Sequence, residues 1–228
     1  MTVESLARPA KSGARQRPAP AARSQQTPNA RQTVRRRQIL QATLRLVRRE
    51  GTGVTTAQIA AESRCSKETL YAWFGSREGI FAALVEAQAE AMAEALAAGF
   101  AKAEGTLENR IRHNATVLLD IMTGDAVLVV NRIAMSQATA HAAPLGERVL
   151  AGWREAVAKP FHALFEEGNA AGTLTVYDTR EAFDTLAGLL VGDRQRQLLL
   201  GAAERPGAKG MASIASKAVQ RWLLLYRA

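Results

Sequence analysis

This sequence has little of what disulfide scaffolds, membrane spans and most enzymes require. Cys65 is the only cysteine, so no intrachain disulfide can form, and it reads as a small packing residue rather than a redox sensor. Apolar runs such as Ala126 to Val130 or Leu198 to Leu200 fall far short of the roughly 18 residues that a membrane helix needs. The N-terminus lacks the apolar segment of a secretory signal. No P-loop, dinucleotide-binding glycine motif or G-x-S-x-G elbow is present. The three histidines, His113, His141 and His162, fall on different predicted helices or their ends, and no His/Cys/Asp/Glu group has metal-ligand spacing. These absences predict a soluble cytoplasmic protein that is no enzyme, takes no metal or cofactor and does not enter a membrane.

What is present is alanine, arginine and helical periodicity. Hydrophobic residues make up 47% of the chain and aromatics only 5%, a balance that fits an all-α protein. The net charge of +9 is unevenly placed: Arg8, Lys11, Arg15, Arg17, Arg23, Arg31, Arg35, Arg36 and Arg37 oppose Glu4 alone, which leaves about +1 for everything after residue 37. Residues 1–32, with Pro9, Pro18, Pro20 and Pro28 and no apolar period, read as a disordered basic arm. Such an arm either binds phosphates or is a solvated extension; Arg35, Arg36 and Arg37, at the entrance to the first helix, are the stronger candidates for DNA contact.

The stretch Thr55 to Arg77 carries the strongest local signals. Thr55 can accept from freed N–H groups at a helix start and Gln58 can reach back, which makes a capping box. Glu62-Ser63-Arg64-Cys65 breaks the apolar stripe, and Ser66 is a second N-cap with Thr69 three residues on. Two caps around a four-residue break predict helix, turn, helix. The second helix, from Lys67 to about Trp73, buries Leu70 and Phe74 and presents Lys67, Glu68, Thr69, Tyr71 and Trp73, groups able to bond phosphates and base edges. Gly75 can end it in a left-handed conformation and Ser76 can cap the next helix.

The strings ILQATLRLVRREG, VTTAQIAAES and CSKETLYAWFGSREGIFAAL, spanning Ile39 to Val85, resemble the DNA-binding domain of the TetR/AcrR family of transcriptional regulators. The combination Ser66-Lys67-x-Thr69-Leu70-Tyr71-x-x-Phe74 with a basic residue three positions later carries most of the resemblance. One departure is visible: family members usually have glycine in the turn where this chain has Arg64, a substitution expected to cost about 1 kcal/mol in a left-handed conformation. The resemblance implies an effector domain that changes DNA affinity, and a four-helix dimer bundle formed by the last two helices of each copy.

Elsewhere the periodicity predicts helices over about 33–50, 76–103, 106–123, 126–139, 145–168, 180–201 and 210–226, about nine in all, with Thr173 to Tyr177 taken as a loop. The expected organisation is a basic arm over 1–32, a helix-turn-helix DNA-binding domain over 33–80 and a helical effector-binding and dimerisation domain over 81–228. Apolar groups spread widely around the helices of 180–226, with Gly188 and Gly192 at four-residue spacing, point to a homodimer interface there. Polar or aromatic groups on otherwise apolar helices, His113, Asn114, Asn131, Arg132, Trp153 and His162, are the candidates for lining a small-molecule pocket.

The function expected is that of a ligand-responsive repressor, binding a pseudo-palindromic operator in double-stranded DNA as a dimer. Ser66 to Trp73 would enter the major groove; Thr55, Thr56, Tyr71 and Arg77 would fix the backbone, with Lys67 and Thr69 reading bases. The alternative is a ligand-independent DNA-binding protein whose affinity is dominated by the basic arm.

Overall fold

The computed structural model describes residues 30–138, 144–153 and 157–228, without the side chains of Pro144 and Trp153. Most of the basic arm, residues 1–29, therefore lies outside the described residues. Among the described residues the chain is all-α, with eleven helices and one isolated antiparallel bridge between Leu174 and Arg227. The helices are α1 (Ala30–Glu50), α2 (Thr56–Glu62), α3 (Lys67–Phe74), α4 (Arg77–Lys102), α5 (Leu107–Met122), α6 (Asp125–Gln137), α7 (Pro144–Trp153), α8 (Lys159–Ala170), α9 (Thr179–Val191), α10 (Arg194–Leu199) and α11 (Ala208–Tyr226).

The count exceeds the expected nine because two long apolar periods are each interrupted. The span predicted as one helix over 145–168 is α7 and α8: Pro160 sits in the first turn of α8, where its missing N–H is harmless, whereas in a helix interior it would break the ladder. The span predicted over 180–201 is α9 and α10, divided at Gly192, whose φ of +50° and N–H bond back to the Gly188 carbonyl end α9. Thr173 to Tyr177 is not free loop: the Thr175 N–H donates to the Tyr226 carbonyl at 2.8 Å, which pins the segment to the end of α11.

Two hydrophobic cores share α4. The first joins Ile39, Leu46 and Val47 of α1, Ile59 of α2, Leu70 of α3 and Phe81 and Leu84 of α4 to Val129, Val130 and Ile133 of α6. Val54 is buried there, and Phe74, expected to be buried, packs against it half-buried. The second core lies among the far half of α4 (Leu96), α5, α8, α9 and α11. Half of the chain's twelve aromatic residues form a single run through it. Phe100 meets Phe161 edge-on at 5.2 Å, Phe161 meets Phe183 and Phe165, and Phe165 stacks on Trp222 at 4.7 Å, which in turn touches Tyr226. The indole N–H of Trp222 donates to the Ala182 carbonyl at 2.7 Å, so the largest buried side chain leaves no polar group unpaired.

This aromatic run corrects one step of the sequence reasoning. Phe183, Leu186 and Leu190 on α9 and Met211, Val219, Trp222 and Leu223 on α11 were too widely spread for one domain to bury easily; they are buried within the protomer, in this core and against it. What α9 and α11 leave outside includes Arg180, Glu181, Asp184 and Gly188 on one, with Gly192 at its cap, and Ser213, Lys217, Gln220, Arg221, Leu224 and Leu225 on the other. No described helix is long and apolar enough to cross a membrane.

Candidate nucleic-acid interface

The two predicted caps set the geometry of the head. Thr55 accepts from the Gln58 N–H at 3.3 Å while the Gln58 side chain accepts from the Thr55 N–H at 2.8 Å, so the capping box is complete. Ser66 accepts from the Thr69 N–H at 3.2 Å and opens α3; Ser76 accepts from the Gly79 N–H and opens α4. Gly75, with φ +77°, closes α3.

Between α2 and α3 the chain makes a Schellman turn. The Cys65 N–H bonds the Ala60 carbonyl and the Arg64 N–H bonds the Ala61 carbonyl, with Arg64 at φ +51°, the only non-glycine residue at positive φ among those described. Arg64 thus occupies the glycine position of an intact turn. The Arg35 guanidinium donates to the carbonyls of both Ser63 (2.9 Å) and Arg64 (2.8 Å), tying α1 to that turn.

The predicted DNA-contact residues divide into three groups. Thr55, Thr56, Tyr71 and Arg77 line one shallow depression where the start of α2, the exposed side of α3 and the start of α4 meet. The hydroxyls of Thr56 and Tyr71 stand 3.4 Å apart across it, and Tyr71 is 51% exposed. Ser66, Lys67 and Thr69 occupy the first turn of α3, with Lys67 exposed and the Ser66 and Thr69 hydroxyls 3.1 Å apart. Of the remainder, Trp73 packs half-buried against the head core and Arg36 lies over the Phe74 ring at 5.2 Å, so both serve the scaffold as well, whereas Arg37 is simply exposed one residue further along α1. Arg77 donates from Nε to the Val54 carbonyl at 2.7 Å and from Nη2 to the Thr52 carbonyl, and lies over Phe81 at 4.7 Å. Its guanidinium therefore holds the α1–α2 connection against α4 while reaching the edge of the depression.

Glu68 is an exposed anion in the first turn of α3; its own backbone N–H, the Ser66 hydroxyl and neighbouring Lys67 hold its carboxyl below the ordinary range. It stays ionised beside Lys67, where a carboxylate repels phosphate and can accept from a base edge.

A second feature lies at the seam between the two cores. A cavity of about 320 Å³ is bounded by α4, the end of α5, α6, α7, α9 and α10, and Val85 and Val130 of its wall are also buried members of the head core. Of the six residues proposed from sequence to line a pocket, Asn131 lines this one. His113 is exposed on α5, and His162 is half-buried, edge-on to Phe183 at 6.0 Å. Arg132 donates to the carbonyls of Leu198 and Leu199, closing the end of α10. Asn114 is 1% exposed within α5, away from the cavity, and neither of its amide atoms has a partner. The Trp153 side chain lies outside the described residues. The other lining residues include Gln88, Met92, Met122 and Gln195; apolar groups on amphipathic helices look the same in sequence whether they face a core or a cavity. Among the described residues no His/Cys/Asp/Glu group could hold a metal ion.

Comparison with known proteins agrees with the head's geometry. Residues 39–84 match the family described as bacterial regulatory proteins, tetR family, and residues 109–228 match the AefR-like transcriptional repressor, C-terminal domain. A TetR transcriptional regulator from Agrobacterium tumefaciens is 33% identical, with 85% of this chain and 95% of that one covered and a TM-score of 0.66. A TetR-family regulator from Mesorhizobium loti shares the fold at a TM-score of 0.78 and 19% identity, covering 88% and 100% of the two chains. One from Pseudomonas syringae does so at 0.64 and 20%, covering 84% and 96%. No curated protein matches the chain. With its capped helix-turn-helix, its Tyr71–Thr56 face and both halves matched, this chain belongs to the TetR family of DNA-binding transcriptional regulators, a family without enzymatic activity.

Proposed function

We propose that the protein is a ligand-responsive repressor, which occupies a pseudo-palindromic operator as a homodimer and releases it when a small molecule fills the cavity between α4, α6, α7 and α9. The observation that carries this reading is the shared wall: Val85 and Val130 bound the cavity on one side and pack in the core of the DNA-reading head on the other. A molecule that displaces these side chains alters how α4 and α6 support α1, and so the angle at which α3 is offered to DNA. The match of residues 109–228 to a repressor C-terminal domain supports repression.

Lys67, Thr69 and Glu68 at the start of α3 read base edges, and Thr55, Thr56 and Tyr71 hold the phosphate backbone. Dimerisation places the two heads one helical turn apart, through the outer stripes of α9 and α11. The protein works in the cytoplasm.

The test is a shift assay on an operator fragment selected from genomic DNA. Lys67→Ala and Tyr71→Ala each weaken binding at least tenfold while light scattering shows an unchanged dimer. Undiminished affinity in both variants refutes the docking, and equal operator affinity with and without saturating effector refutes the response.

A further inference from the structure

The cavity's chemistry narrows what can occupy it. Ten of the thirteen described residues that line it are Ala, Val, Leu or Met, and the other three, Gln88, Asn131 and Gln195, are carboxamides; none of these thirteen is charged or aromatic. Of the charged residues nearest to them in the chain, Glu90 is exposed, Arg196 pairs with Asp193 at 2.6 Å, and three more are held by bonds. Glu86, two residues before Gln88, pairs with Arg148 of α7 at 2.7 Å. Arg132, next to Asn131, is bonded to the Leu198 and Leu199 carbonyls, and Arg194, next to Gln195, donates to the Leu190 carbonyl at 2.9 Å. A charged ligand entering here loses its hydration and meets no countercharge.

The carboxamides behave differently. The Gln195 side-chain nitrogen donates to the Met122 carbonyl at 3.0 Å and so steadies α10 on the end of α5. Gln88 on α4 and Asn131 on α6 are half-buried and bonded to nothing else described, which leaves two groups, each able to donate and accept, set in apolar walls. Met92 and Met122 add unbranched, polarisable side chains that adapt to an occupant's outline and suit an aromatic face.

We infer that this cavity takes an uncharged, mainly apolar molecule bearing a carbonyl or hydroxyl oxygen that bonds the Asn131 and Gln88 amides, and that it rejects the carboxylate and ammonium forms of the same skeleton. This deepens the ligand-responsive reading and rests on it for its biological role. Because no described lining group titrates, affinity for a neutral ligand is expected to be flat across neutral pH.

Three probes of one skeleton test the inference on the full-length protein: 2-acetylnaphthalene, 2-naphthoate and 2-naphthylmethylammonium, titrated by calorimetry at neutral pH. The ketone is expected to bind at least tenfold more tightly than either ion. Asn131→Asp should lower ketone affinity about tenfold and improve the ammonium relative to it. Ala187→Trp and, separately, Leu150→Trp should each fill the space and abolish ketone binding; melting curves identify the variant that remains folded. Equal or tighter binding of naphthoate, no binding of the ketone at millimolar concentration, or ketone binding untouched in the folded filled variant overturns the inference. Operator affinity, measured in parallel, separates the two claims: a ketone that binds as expected without changing it refutes the ligand response alone, and release by an ion refutes the selectivity alone.

Discussion

The guanidinium of Arg35 donates to the carbonyl of Arg64 at 2.8 Å, so one arginine from the first helix holds another that stands in a left-handed turn at φ +51°. Both are exposed enough to suggest DNA contacts, yet their geometry is that of a brace and the turn it braces. The turn keeps the bonds of a glycine-closed helix end and carries the strain of a side chain there. Arg64→Gly is expected to raise stability by up to about 1 kcal/mol. Arg35→Ala lowers it by about 1–2 kcal/mol through loss of charge-assisted bonds at a half-buried site. Urea denaturation midpoints measure both, and a midpoint for Arg35→Ala equal to that of the parent contradicts the bracing role.

The shared wall makes a quantitative claim about coupling. Val130→Ala removes two methyl groups from a side chain 7% exposed and leaves a void open to the cavity, at a cost of about 2 kcal/mol. Its more specific effect is on the ratio of operator affinities without and with effector, which shrinks, while affinity in the absence of effector stays within about threefold. A ratio equal to the parent's means that the two functions communicate by another route.

The proposed homodimer is assembled through the outer stripes of α9 and α11. Gly188 has open space where a Cβ would stand, and Leu224 is 86% exposed at the level where α11 passes the start of α9. Leu224→Glu and Gly188→Trp are each expected to convert dimer to monomer in sedimentation at micromolar concentration, with melting of the protomer core still cooperative. A Leu224→Glu protein that sediments as the parent does places the interface elsewhere.

Asn114 offers a test of polar accounting. It is buried in α5 with both amide atoms unpartnered. Leu has the same branching and no polar atom, so Asn114→Leu removes an uncompensated desolvation and stabilises the protein by about 1–2 kcal/mol. Differential scanning calorimetry reads the sign; a lower melting temperature shows that the amide has a partner in solution.

What could be read from the sequence was what short-range chemistry dictates. Thr55 with Gln58, Ser66 with Thr69 and Ser76 with Gly79 are pairs three residues apart, and each forms the cap that its spacing predicts. The placement of Tyr71 beside Thr56, and of Lys67 in the first turn of α3, follows from those caps. The extra helix breaks were harder to see: Pro160 and Gly192 fall inside otherwise unbroken apolar periods, and periodicity alone runs through them. Of the cavity, only Asn131 was legible. Val85 and Val130 have the pattern of core residues because they are core residues, and only the packing of six helices reveals that they also face a space. The C-terminal helices were legible in part, since Phe183 and Trp222 of their apolar set are buried within one protomer while Leu200 and Leu225 stay exposed.

The participation of α6 in the head core sets the order in which this protein can become functional during synthesis. The reading helices are made first, yet Val129, Val130, Ile133 and Leu145 complete the core beneath them. A nascent or truncated chain that stops before α6 exposes the apolar backs of α1 and α4, and a fragment of residues 30–105 is expected to melt without cooperativity. The head is finished only when part of the cavity wall has been made, so a complete DNA reader always carries the beginnings of that cavity.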